Sequence, residues 1–290
     1  MKSKVFFTKE ITPESVLRLY KALGVTLPGK VAVKVHSGEK GNQNFLRPDF
    51  WKPIVNYVNG TVCECNAAYE GARDTTEKHR ELLKYHEWDK YYNVDIMDDV
   101  GPDDVLLIPN GKRIKKNYVG HHLKNYDSML VLSHFKGHPM GGFGGALKQL
   151  SIGVASSYGK AYIHGASEVE KKWTQVHDWF LESMADAASS VVNNFHKEGK
   201  NIAFINVMKN MSVDCDCCDV AEDPCIKDIG VLASLDPIAI DQACVDLVYK
   251  CSDPGRPHFI ERIESRNGVH TIEAASELGF GSREYELIEL

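Results

Sequence analysis

Residues 229–250 limit the possible folds more than any other segment. The run IGVLAS is apolar enough for a covered strand. It meets Asp236-Pro237, after which IAIDQACVDLVYK repeats its apolar positions at helical spacing. Asp236 suits the N-cap of that helix, and Pro237 suits its first position, where a missing N–H costs nothing. The same alternation recurs upstream. Strands are predicted over residues 4–8, 30–36, 61–65, 104–108, 127–133 and 201–207. Helices are predicted over 12–23, 48–59, 76–86 and about 172–196. This order implies an α/β fold: a mainly parallel mixed sheet covered by helices on both faces. No repeat or Pro/Ser-rich linker breaks the chain, so residues 1–290 are expected to form a single α/β domain. In such sheets ligands sit beyond the C-terminal ends of the strands.

Composition narrows the function. With 34 basic and 40 acidic residues the net charge is −6, which excludes general nucleic-acid binding on electrostatic grounds. The longest uncharged apolar stretches, such as residues 149–159, fall well short of the roughly 20 residues that span a bilayer. No membrane association is therefore expected. The opening MKSKVFFTKE has no apolar core segment of the kind a secretory signal carries, so a cytoplasmic location is expected. There the eight cysteines would be reduced, and metal or redox chemistry outranks disulfides.

Four of those cysteines fall in the segment DCDCCDVAEDPC: Cys215, Cys217, Cys218 and Cys225. The same segment holds five carboxylates and no Lys or Arg. Adjacent carboxylates should raise the thiol pKa values, a penalty that a bound cation would reverse. Soft sulfur ligands favour an iron–sulfur cluster or, alternatively, zinc. The spacing C-x-C-C-x6-C matches neither the zinc-ribbon pair nor the ferredoxin run. An acidic surface loop or a redox thiol pair would give the same sequence. Cys63 and Cys65 are candidate further ligands or simply buried small residues.

A second cluster follows the strand at 127–133. It carries His134 and His138, then Gly141, Gly142, Gly144, Gly145 and Lys148. A glycine-rich turn entering a helix lets backbone N–H groups approach an anion, and Lys148 would add charge. The pattern is neither a Walker A loop nor G-x-G-x-x-G. The expectation is an anionic small-molecule ligand bound by these glycines and Lys148. His134, His138 and His164 would handle protons near neutral pH. The same glycines would also serve tight helix–sheet packing. Two polar loops, SGEKGNQNFLRP after His36 and NAAYEGARD after Cys65, occupy equivalent strand ends and could line the same crevice.

Four stretches carry a family resemblance: KVAVKVHSGEKGN, CNAAYEGARDTTEKH, GGFGGALKQLSIGVASSYGK, and the pairing of CDCC with IGVLASLDPIAIDQACVDLV. Together, over about residues 36–248, they resemble the domain-of-unknown-function family 362, often labelled iron–sulfur centre proteins. The resemblance implies an α/β fold and a link to iron–sulfur redox chemistry, without a defined reaction. Many relatives carry a ferredoxin module with a C-x2-C-x2-C-x3-C run. This sequence has no such run, and residues 261–290 contain no cysteine.

The resulting expectation is a metal- or iron–sulfur-binding protein with a Gly-rich anion-binding crevice. It would be a candidate oxidoreductase served by an electron-transfer protein. The alternatives are a non-redox enzyme with structural zinc, or a protein that delivers a metal or ligand.

Overall fold

The computed structural model describes residues 2–196 and 201–290. Its strands are β1 (Ser3–Thr8), β2 (Val31–Lys34), β3 (Thr61–Glu64), β4 (Asp95–Ile96), β5 (Asp104–Leu107), β6 (Lys116–Val119), β7 (Ser128–His134), β8 (Lys136–His138), β9 (Gly142–Gly144), β10 (Asn201–Met208), β11 (Gly230–Ser234) and β12 (Tyr285–Glu289). The α-helices are α1 (Pro13–Ala22), α2 (Lys52–Val58), α3 (Thr76–Tyr85), α4 (Ala146–Ser151), α5 (Ser157–His164), α6 (His177–Phe195), α7 (Pro237–Lys250), α8 (Arg256–Ser265) and α9 (Val269–Glu277).

Eight strands form one sheet in the order β12-β1-β11-β10-β7-β2-β3-β4. Every neighbouring pair is parallel except the two made by β11, so β11 alone runs against the rest. Strand β10 shows why the sheet is covered on both faces. Its Ile202 and Phe204 join a core with α4, α6, α7, α8 and α9, while Ala203, Ile205 and Val207 join a second core with α1, α2 and α3. Unbroken apolar strands of this kind are what two-sided burial requires.

Local signals set the helix starts. Thr12 and Ser15 form a reciprocal capping box before α1, at 3.1 and 3.0 Å. Asp236 caps α7, accepting from the N–H groups of Ile238 at 2.9 Å and Ala239 at 3.1 Å. Because β11 is reversed, Asp236 lies at the opposite end of the sheet from the C-terminal ends of β2, β3, β7 and β10. It therefore has no part in a crevice there.

The structure departs from the sequence expectation in several places. Strand β5 is outside the main sheet and pairs with β6 in a two-stranded ribbon. Leu107 at its end is largely exposed, which a central strand would not allow. The long helix starts at His177 rather than near 172, and the residues before it form a 3-10 turn and a loop. The helix expected after the glycine-rich turn is α4, while α5, α8, α9 and strands β4, β6, β8, β9 and β12 lie outside the predicted elements. Among the described residues, no helix is long and apolar enough to cross a membrane.

Candidate functional site: a cationic cleft beside a thiol cluster

The C-terminal ends of β2, β3 and β8 meet α4 and the face of α5 around one cleft. It encloses about 750 Å³ of empty space, part of it open to solvent. Lys34 and His36 come from the end of β2 and the loop that follows. Glu64 ends β3, and Tyr69 and Arg73 belong to the loop beyond it. His138 ends β8, Lys148 comes from α4, and Lys160 and His164 come from α5. Met140, Ile152 and Trp173 supply apolar wall. Of the two polar loops singled out in the sequence, the one after Cys65 lines the cleft, while the one after His36 packs on the cysteine segment.

Its charge is lopsided: Lys34, Arg73, Lys148 and Lys160 line it, against the single carboxylate of Glu64. Glu64 and Lys34 form a buried pair at 2.6 Å. Glu64 also accepts from the Ser37 N–H at 2.7 Å and the Ser37 hydroxyl at 3.0 Å. Burial alone would raise the Glu64 carboxyl, but Lys34, His36 and Arg73 hold it well below the usual range. Arg73 reaches Glu39 at 3.3 Å and the Tyr69 hydroxyl at 2.6 Å. Burial keeps the imidazoles neutral, lowering His138 to about 4 and His164 to about 3.

The cysteine segment packs against this cleft. The loop after β2 clamps it: the Asn42 amide donates to the carbonyls of Cys218 at 2.9 Å and Cys215 at 3.3 Å, and the Glu39 N–H donates to the Asp216 carbonyl at 2.7 Å. Burial and Glu222 raise the Cys225 thiol, and Asp214 acts in the same sense on Cys218, as the sequence suggests for carboxylates, but at Cys215 the carboxylates do not set the balance. Asp216 turns away from the sulfurs and binds His134 at 2.9 Å and Lys136 at 2.8 Å. Lys148 sits on the sulfur instead, with Nζ 3.6 Å from Cys215 Sγ. Burial would raise the Cys215 thiol. The Cys217 thiol, Lys148, Lys136 and His138 outweigh it and hold Cys215 well below a normal thiol. Cys217 moves the other way, because its proton bridges to Cys215 and Cys218 and because it is buried.

The ligand atoms of His138, Cys215 and Cys217 all lie within 4.8 Å of one another, and this group could hold a metal ion. Two thiols and an imidazole are a suitable donor set for a thiophilic ion. Of these donors only the Cys215 sulfur is ready for it. His138 Nδ1 accepts from the N–H groups of Gly141 at 2.8 Å and Met140 at 3.2 Å. A neutral ring that accepts at Nδ1 carries its proton on Nε2, the nitrogen 4.0 Å from Cys217 Sγ. Ligation by Nε2 requires those two backbone bonds to be given up.

Other sequence candidates fall elsewhere. Cys218 and Cys225 are outside the three-residue group, and Cys225 Sγ faces the Met211 carbonyl at 3.6 Å. Cys63 and Cys65 are buried, and their sulfurs face the carbonyls of Thr61 at 3.1 Å and Val154 at 3.4 Å. His134 does not line the cleft; it holds Asp216 and, through it, the cysteine segment.

The glycines also depart from expectation. Gly141, Gly142, Gly144 and Gly145 do not line the cleft. The N–H groups opening α4 already have an anion: Asp241 accepts from Ala146 at 2.7 Å and Leu147 at 2.9 Å. A Cβ on Gly145 would lie 2.3 Å from Asp241 Oδ1, and one on Gly142, at φ +75, would lie 2.8 Å from Gly268. These glycines allow close packing around an internal carboxylate. The cations Lys34, Arg73 and Lys160 went unnoticed in the sequence. A lysine inside the Val-rich run KVAVKVH was the available signal, since a charge there must find a buried partner.

No curated protein matches the chain. Among solved structures it is similar to the lactate racemase apoprotein of Thermoanaerobacterium thermosaccharolyticum, at 14% identity and a TM-score of 0.43 over 70% of this chain and 50% of that one. It is also similar to a Thermotoga maritima protein, at 10% identity and a TM-score of 0.45 over 91% of this chain and 58% of that one. The chain thus spans between half and three-fifths of the length of these two structures, and neither likeness bears on its chemistry. Sequence gives the firmer relation: the domain of unknown function DUF362 matches residues 31–246, and the chain belongs to that family.

Proposed function

We propose that this chain is a metal-binding protein that acts on a small organic anion. Cys215 and Cys217, with His138 as third donor, would hold the metal, and the cleft beside them would hold the anion. One observation carries this reading: three convergent donor atoms adjoin a cleft where Lys34, Arg73 and Lys148 face one carboxylate. A desolvated cleft with surplus positive charge favours an anionic ligand. Lys148 stands between the two parts, touching Cys215 and lining the cleft.

The donor set favours a single thiophilic ion such as zinc. A four-cysteine iron–sulfur cluster would need Cys218 and Cys225 to move into the group. Redox activity and an electron-transfer partner belong to the cluster alternative.

Metal and acid-labile sulfide in anaerobically purified protein test this reading. We expect about one metal per chain and no sulfide. Cys217→Ala should lose the metal. Lys148→Ala should keep it while binding oxalate at least tenfold more weakly. Equal metal content in all three proteins would overturn the proposal, and sulfide equal to iron would replace the single ion by a cluster.

A further inference from the structure

Lys160 differs from the other lysines around the cleft. Lys34 pairs with Glu64 and Lys136 pairs with Asp216, while Lys148 rests on the Cys215 sulfur. Lys160 is buried and lines the cleft, yet no carboxylate lies within ion-pair distance of it among the described residues. Its Nζ donates only to the Ala155 carbonyl, at 2.6 Å. Resting the proposed anion cleft on this residue as well, we propose that Lys160 forms a Schiff base with a small 2-oxo acid whose carboxylate is held by Lys148.

Three features support that role. An ammonium buried with a single carbonyl acceptor is poorly compensated, so burial lowers its pKa and favours the free, nucleophilic amine. Met140, Ile152 and Trp173 give part of the cleft an apolar wall, a surrounding that favours loss of water from the adduct. His164 lies one helical turn along α5 and also lines the cleft. Its Nδ1 donates to the Lys160 carbonyl at 2.7 Å, which leaves the lone pair on Nε2. Among the described residues that nitrogen has no hydrogen-bond partner, so it can accept a hydrogen bond from the adduct.

The step balances without an oxidant. The Nζ lone pair forms the C–N bond while the C=O π pair moves to oxygen, and oxygen takes the proton that nitrogen loses. The resulting hydroxyl takes one more proton from solvent and leaves as water. The nitrogen lone pair then closes the C=N bond, giving the iminium.

Glyoxylate with cyanoborohydride is the test, read by peptide mass mapping, with calorimetry of glyoxylate and oxalate in parallel. We expect one carboxymethyl group per chain on Lys160, with labelling suppressed by oxalate. Lys160→Arg should reduce labelling at least tenfold while keeping oxalate binding, and that retained binding shows that the variant is folded. Should the arginine be too large, Lys160→Met serves, with circular dichroism reporting that it is folded. Oxalate binding without Lys160 labelling overturns the Schiff base and leaves the anion cleft standing. Failure of the wild type to bind either anion overturns both.

Discussion

Lys34→Met should destabilise the protein by about 3 kcal/mol, one of the two largest effects expected here. Lys34 is fully buried, and its ammonium pairs with Glu64 at 2.6 Å. Removing it leaves a buried carboxylate with two Ser37 bonds and Arg73 at 3.8 Å. Those contacts soften the penalty without cancelling it, which puts the cost near the lower end of the roughly 3–5 kcal/mol typical of a broken buried pair. The double variant Lys34→Met/Glu64→Gln removes both charges and should be more stable than the single one. Urea denaturation of the three proteins measures this. A single variant as stable as the wild type would mean that the pair is solvated and the cleft open.

The second large effect is acid sensitivity. His79 and His164 are buried, and burial lowers each to about 3. In the unfolded chain both return to about 6.5. Between those values the unfolded chain binds more protons, so stability is full above about pH 6.5 and declines as the pH falls toward 3. Each group contributes up to about 1.4 kcal/mol per pH unit, and from pH 6.5 to 5 the two together contribute about 4 kcal/mol at most. Unfolding free energies at pH 7, 6 and 5 check this, with His164→Gln expected to flatten the slope. A pH-independent stability over that range would contradict the burial of these rings.

The architecture was legible in the sequence because two-sided burial leaves long apolar strands and because Asp236-Pro237 and Thr12-Pro13 mark helix starts. The reversed direction of β11 was not legible, since an apolar run looks the same in either orientation. The site was half legible. The sequence singles out the cysteine segment, His138, Lys148 and His164 by residue type, and all but Cys218 and Cys225 line the cleft or belong to the three-residue donor group. The lowered Cys215 thiol is not legible because sequence adjacency does not give direction: Asp216 faces His134 and Lys136, while Lys148 arrives from 67 residues away. The glycines suggested an anion, and there is one at the start of α4. It is the chain's own Asp241, supplied from α7. Burial lifts that carboxyl to about 6 against the pull of the α4 N–H groups and Asn206.

The central claim is that Cys215 and Cys217 are metal ligands at the edge of the cationic cleft. X-ray absorption at the edge of the bound metal tests it most directly. Two sulfur scatterers are expected at about 2.3 Å, with nitrogen or oxygen completing the shell. Loss of sulfur scattering should follow in Cys217→Ala. A shell of oxygen and nitrogen alone, unchanged in that variant, would contradict it.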